Sequence, residues 1–226
     1  MPGDPEWRLA LYLELAALLN RFFAAYPGPY CLHCGRVLER MPEARSEAFE
    51  LVDGVYPGCC HRGAGDIFRL EGQPRGRERL APEMIAGLQR ERARVLPRLA
   101  ADAGGSYTIR RRSDQSLVTG AHCRYFTSRG CGLGVLKGPL CLNFICPPLR
   151  CELLIVCGGN LELVGPENDF LFIYRTLAAI SWDDEEQAMV QFSAFRQRLD
   201  ALSGCCRDFL AARKRATLYD FFMPAG

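Results

Sequence analysis

Residues 6–25, EWRLALYLELAALLNRFFAA, set a broad apolar face against charges at Glu6, Arg8, Glu14 and Arg21 and predict a helix that stops at Pro27-Gly28. A second helix is predicted over 81–101, opening on Ala81-Pro82-Glu83 because proline suits a first helical turn, with Pro97 kinking or ending it. Two runs, SYTIRRR at 106–112 and CELLIVC at 151–157, read as short strands. After Gly165-Pro166 the composition changes, and residues 168–180 predict another helix. Ser181 with Asp183 and Asp184 then caps a helix reaching about residue 202, closed by Gly204, and a last helix follows over 205–215. The acidic cluster Asp183, Asp184, Glu185 and Glu186 is accounted for by the positive end of that helix's dipole, without catalytic or metal-binding work.

Charge narrows the partners. The formal net charge of the 226-residue chain is +2, too close to balance to imply nucleic acid or an anionic membrane as partner. Of the basic residues only Lys137 and Lys214 are lysines, and the arginines are scattered, so Arg75, Arg77, Arg79 and the run Arg110 to Arg112 read as solvated surface. The apolar stretch LALYLELAALL is interrupted by Glu14 and is too short to span a bilayer. Asp4 and Glu6 stand where a secretory signal carries a basic start, so the expected compartment is the cytoplasm, where thiols stay reduced.

Cysteine changes the picture most. There are 12, and all three histidines touch one: His33 lies inside Cys31-Leu-His-Cys34, His61 follows Cys59-Cys60, and His122 precedes Cys123. Thiolate and imidazole are the soft and borderline ligands for iron and zinc, which makes one shared chemistry the natural reading. A disulfide framework fits worse, because the chain is long enough to need no staples and adjacent cysteines such as Cys59 and Cys60 bridge each other only with strain. Cys31-x2-Cys34 brings two sulfurs to one metal, and Gly35 lets the chain turn beneath it. Cys59 and Cys60 follow a Pro57-Gly58 turn and point apart. A second group reads HCRYFTSRGCGLGVLKGPLCLNFICPP, with Cys123 and Cys131 flanking a short turn and Cys141 and Cys146 just before Pro147. The glycines at 130, 132, 134 and 138 do not make a nucleotide loop, since Pro139 blocks the helix such a loop opens and no Lys-Ser/Thr pair follows. Cys151 and Cys157 continue the series 141, 146, 151, 157 and are further candidate ligands, as are His33, His61 and His122. Cys205 and Cys206 read more readily as core or surface thiols.

These residues resemble the YkgJ-type cysteine-cluster family, described as zinc- or iron-chelating and often labelled iron–sulfur oxidoreductase. Cys31, Cys34 and Gly35 match its C-x2-C-G opening, and Cys59-Cys60 its paired cysteines. Cys123 with Tyr125 and Phe126, Gly130-Cys131, Pro139, Cys141 and Cys146 are similar to its closing half. The likeness covers about residues 30–147. The chain departs from the pattern in placing 24 residues, Gly35 to Gly58, where the family has a short gap. Some relatives of this cysteine domain are linked to protein lysine methylation, which the resemblance implies as an alternative; no S-adenosylmethionine motif in the residues argues for it.

The expectation is a mainly α, irregular helical domain wrapped around a cysteine-rich metal or iron–sulfur centre, with minor short β strands. Residues 1–27 form an N-terminal helix packing on the core, 28–165 a cysteine-cluster metal-binding domain, and 166–226 a C-terminal helical extension. Cys31, Cys34, Cys59, Cys60, Cys123, Cys131, Cys141 and Cys146 are enough thiolates for one or two [4Fe–4S]-type clusters, serving electron transfer or a cluster-dependent redox reaction with a redox or protein partner. The alternative is a zinc-structured binding module held by four cysteines or three cysteines and one histidine. Whether the protein turns over a substrate stays open at this point.

Overall fold

The computed structural model describes residues 6–30, 32–33, 37, 49–54, 82–99, 105–123, 125–127, 130–138, 141–142, 145–164 and 182–223. Among these the chain is mainly helical with small antiparallel sheets. It divides into two compact units, one made of Met1–Gly28, Phe68–Glu91 and Gly134–Gly226, the other of Pro29–Ile67 and Arg92–Leu133.

The first unit is helical. Helix α1, Glu6–Ala25, buries Leu11, Tyr12, Leu15, Ala16, Leu19 and Phe22, the stripe its sequence periodicity called for. It ends where Pro27 and Gly28 break the pattern. Gly28 takes a φ of 78°, and its N–H reaches back to the Phe23 carbonyl at 2.9 Å. The Tyr12 hydroxyl donates to the Lys137 carbonyl at 2.7 Å, and Lys137 Nζ donates to Asn20 Oδ1 at 2.9 Å. These bonds hold the 3-10 turn Gly134–Leu136 and its following residues against α1.

The second predicted helix is α2, Pro82–Leu99, which starts at the proline and runs through Pro97 rather than breaking there. The run CELLIVC, read as a strand, is helical. It belongs to α3, Pro147–Val156. Two prolines in the first turn preset the helical φ, and the apolar residues then follow a 3.6-residue period: Leu149 and Leu153 are 2% and 1% exposed while Ile155 is 62% exposed. The helix closes in a Schellman motif, with Gly158 N–H to Ile155 O at 3.1 Å and Gly159 N–H to Leu154 O at 2.8 Å. A single-turn helix α4, Leu161–Val164, follows.

Helix α5, Glu185–Arg213, replaces the two helices expected on either side of Gly204. Its start is as predicted: Asp184 caps it by accepting the Gln187 N–H at 3.1 Å. Gly204 does not end it. A helical glycine costs about 1 kcal/mol relative to alanine, whereas the stripe Phe192, Phe195, Leu199, Leu202, Cys206 and Leu210 continues across it, each buried side chain contributing roughly 1.5–3 kcal/mol. The stop comes at Lys214, in the left-handed region at φ 52°. Helix α6, Leu218–Phe222, carries a reciprocal Thr217–Asp220 capping box, and its Leu218 N–H meets the Tyr26 carbonyl at the end of α1 at 2.7 Å. The helix expected over 168–180 lies outside the described residues.

The second unit carries the sheets. Strands β1, Phe49–Asp53, β2, Ser106–Arg111, and β3, Leu117–Ala121, pair antiparallel in that order, with a bulge between Leu51 and Asp53. Only β2 was expected. A hairpin of two-residue strands, β4, Phe126–Thr127, and β5, Gly130–Cys131, completes the described part.

Candidate metal centre

Within the second unit the candidate ligands His122, Cys123 and Cys131 are set around the β4–β5 hairpin. Phe126 is opposite Cys131 in the hairpin register, and its N–H donates to the Cys123 carbonyl at 2.8 Å. Gly132 N–H closes the other side on the Tyr125 carbonyl at 2.8 Å. Cys123 is buried and Cys131 half-buried. Beneath them Tyr125 is 1% exposed, with the Arg92 guanidinium 5.5 Å from its ring centroid.

His122 is fixed by aromatic packing. Its ring stacks on Phe126 with centroids 5.2 Å apart and planes at 16°, and lies 5.6 Å from the Tyr107 ring. Glycines make the room: Tyr107 lies over Gly120, its cross-strand partner, and a Cβ on Gly105 would come within 2.9 Å of His122 Cδ2. The His122 backbone N–H donates to the Gly105 carbonyl at 3.0 Å. Burial holds the imidazole pKa below its ordinary value, which favours the neutral ring with its free lone pair. Nδ1 is buried and has no hydrogen-bond partner among the described residues. An unmet buried polar atom costs roughly 1–3 kcal/mol, and a metal ion is one group that would meet it. Thiols and an imidazole nitrogen are donor types that suit zinc or iron, although these three side chains are not by themselves arranged to hold an ion.

In the first unit Cys141 sits in a helical turn, with Leu142 N–H on the Gly138 carbonyl at 2.9 Å. Cys146 is the N-cap residue of α3, extended at φ −64° and ψ 151°, and Pro147 turns the chain away from it. Cys151 is exposed on α3, and Cys157 caps its C-terminus. All eight described cysteines stand as thiols. His33 donates its backbone N–H to the Pro29 carbonyl at 3.1 Å and accepts from Val37 N–H at 3.1 Å, placing it in a helical turn. Cys31, Cys34, Cys59, Cys60 and His61 lie outside the described residues. Among the described residues no group of three or more His, Cys, Asp or Glu side chains is arranged to hold a metal ion. A closed centre therefore needs donors beyond the described ones.

Sequence reasoning passed over Tyr107, Gly105 and Gly120, which shape the His122 site. The available signal was weak: Gly120 two residues before His122, and an aromatic residue in a predicted strand. It also passed over Glu152, which is 6% exposed on α3 between two cysteines in sequence. Burial pushes the Glu152 carboxyl up to about 8, and its Oε2 has no hydrogen-bond partner among the described residues.

Compared with protein-family models, curated proteins and solved structures, the chain finds no match. Among the described residues no helix is long and apolar enough to cross a membrane.

Proposed function

We propose that this chain is an iron–sulfur protein, carrying one or two [4Fe–4S]-type clusters on thiolates drawn from Cys31, Cys34, Cys59, Cys60, Cys123, Cys131, Cys141 and Cys146. The observation that carries the reading is a hairpin that sets Cys131 opposite Phe126, whose N–H bonds the Cys123 carbonyl, beside a buried His122 Nδ1 with no hydrogen-bond partner among the described residues. The resemblance to the YkgJ-type family supports it, since Cys123 and Cys131 are similar to cysteines of that family's closing half. A bound cluster supplies one-electron chemistry at a potential set by its ligands, hydrogen bonds and burial. The chain's own part is to hold the sulfurs, orient them through short turns and exclude water with Tyr125, Phe126 and Leu133. Electron transfer to a redox partner in a reducing, cytoplasmic compartment is the function that follows.

One observation favours zinc instead. An imidazole next to Cys123 in sequence, with Cys131 in the adjoining hairpin, suits a three-cysteine, one-histidine zinc site, which would make the protein a folded binding module. Iron, zinc and acid-labile sulfide are to be measured, with a visible spectrum, on protein purified without oxygen. Iron with matching sulfide and a brown colour that Cys34→Ser removes is the expected result. Zinc without sulfide transfers the same residues to the second reading.

A further inference from the structure

The two edges of the three-stranded sheet are built differently. The β1 edge is interrupted by the bulge between Leu51 and Asp53 and carries the carboxylates of Glu50 and Asp53. Bulges and charges stop an edge from taking up another strand. β3, at the other edge, reads LVTGA, with no charge, no proline and an unbroken register along β2. Its backbone is only half used. Arg111 N–H donates to the Ser116 carbonyl at 2.9 Å and His122 N–H to the Gly105 carbonyl at 3.0 Å, so Ser116 and His122 are residues bonded towards β2. In an antiparallel ladder such residues alternate with ones whose N–H and C=O point away. Leu117, Thr119 and Ala121 therefore turn both backbone groups outward, and among the described residues these groups have no partner. All three residues are exposed, Leu117 to 61%.

We propose that β3 is a contact surface between two copies of this chain, paired antiparallel about a two-fold axis at Thr119. The strand is complementary to itself in that register. On one face Leu117 stands opposite the second copy's Ala121, a long side chain against a short one. On the same face the Thr108–Thr119 pair, whose hydroxyl oxygens are 3.4 Å apart, continues across the axis into the same pair of the second copy. On the other face half-buried Val118 stands opposite the second copy's Gly120, over which that copy's Tyr107 lies. The apolar row Leu51, Ile109 and Val118 thereby runs on into a second aromatic ring. No charged side chain of β3 meets another, and each outward residue exchanges its N–H and C=O with the residue opposite. The pairing closes on itself: each copy uses its one unguarded edge, and the bulged, acidic β1 ends the joined sheet on both sides. Five paired residues a side fall well short of the roughly 800 Å² per partner of a standard interface, so the dissociation constant is expected at about 10–1,000 µM.

The test uses the full chain with a thiol reductant, so that no intermolecular disulfide contributes, in sedimentation equilibrium from about 10 µM to about 1 mM. A reversible monomer–dimer equilibrium is expected. Amide exchange compared at the two ends of that range is expected to slow at Leu117, Thr119 and Ala121 in the concentrated sample. It should stay unchanged at Val118 and Gly120, whose N–H groups already bond β2. Thr119→Lys and Thr119→Glu each set like charges face to face across the axis, and each is expected to weaken self-association at least about tenfold. An equimolar mixture of the two is expected to restore association, which misfolded variants could not do. A monomer throughout the range overturns the proposal. So does association that Thr119→Lys leaves intact, a dimer without slowed exchange at Leu117, Thr119 and Ala121, or a mixture that stays monomeric while both variants are folded by circular dichroism.

Discussion

His122 stacks on Phe126 at 5.2 Å while its Nδ1 is buried with no hydrogen-bond partner among the described residues. The ring is thus held by packing on its faces and left unmet at its edge. A purely structural aromatic has no use for that nitrogen; a ligand does. His122→Phe keeps the stack and deletes the donor. In protein stripped of metal, the variant is expected to be more stable by about 1 kcal/mol, because an unmet polar atom has gone. On the metal-binding reading, the iron or zinc retained through purification is expected to fall. Urea unfolding and metal analysis check the two halves, and unchanged metal content would assign His122 to packing alone.

Cys131→Ser is expected to lower metal stoichiometry and, on the iron–sulfur reading, to bleach visible absorbance. Serine retains the half-buried site's polarity, so stability without metal should change by no more than about 0.5 kcal/mol. Cys123→Ser places a hydroxyl at a position only 7% exposed and should cost roughly 1–2 kcal/mol besides the metal. Measuring both variants with and without a chelator separates ligand loss from core damage.

Helices with a wide apolar face were legible in the sequence. α1 and α2 began at the expected residues, and Asp184 capped α5, because burial pattern and capping chemistry are local. Gly204 misled because its local preference is weaker than the core stripe running past it. CELLIVC misled because a short apolar run carries no period of its own, and the deciding feature, Pro147-Pro148, lies outside it. β1 and β3 were missed since their stability comes from β2, a partner distant in sequence: Leu51 faces Ile109, and Val118 faces Ile109 from the other side. At the candidate centre the histidine–cysteine adjacency marked His122, but its aromatic cradle depends on Tyr107 crossing from β2. No linear spacing encodes that.

Gly120 is tied to the candidate centre through Tyr107. A Cβ there would run into the Tyr107 phenol, which itself packs against His122. Gly120→Ala is expected to destabilise the chain by about 2 kcal/mol through forced movement of Tyr107. It should also weaken metal retention, although residue 120 holds no metal itself. The double variant Gly120→Ala with Tyr107→Leu should recover part of the stability and none of the retention. Thermal unfolding and chelator-competition rates read the two effects separately.

Glu152 makes stability depend on pH in the direction opposite to most carboxylates. Its folded pKa is raised to about 8 by burial, from an ordinary value of 4.5, so the fold favours the neutral acid. Between those values the folded chain keeps a proton that the unfolded chain has released. Its stabilising contribution is therefore complete below about pH 4.5, declines as pH rises, and is gone once pH passes about 8. Glu152→Gln keeps the shape and cannot ionise. The variant should match the parent near pH 4.5 and exceed it at pH 8.5 by on the order of 2 kcal/mol, allowing for solvent screening. Urea midpoints at the two pH values, with the slope of the unfolding curve unchanged, test this. Equal midpoints at pH 8.5 would mean that Glu152 ionises in the fold without cost, and that a cation or donor outside the described residues meets its Oε2.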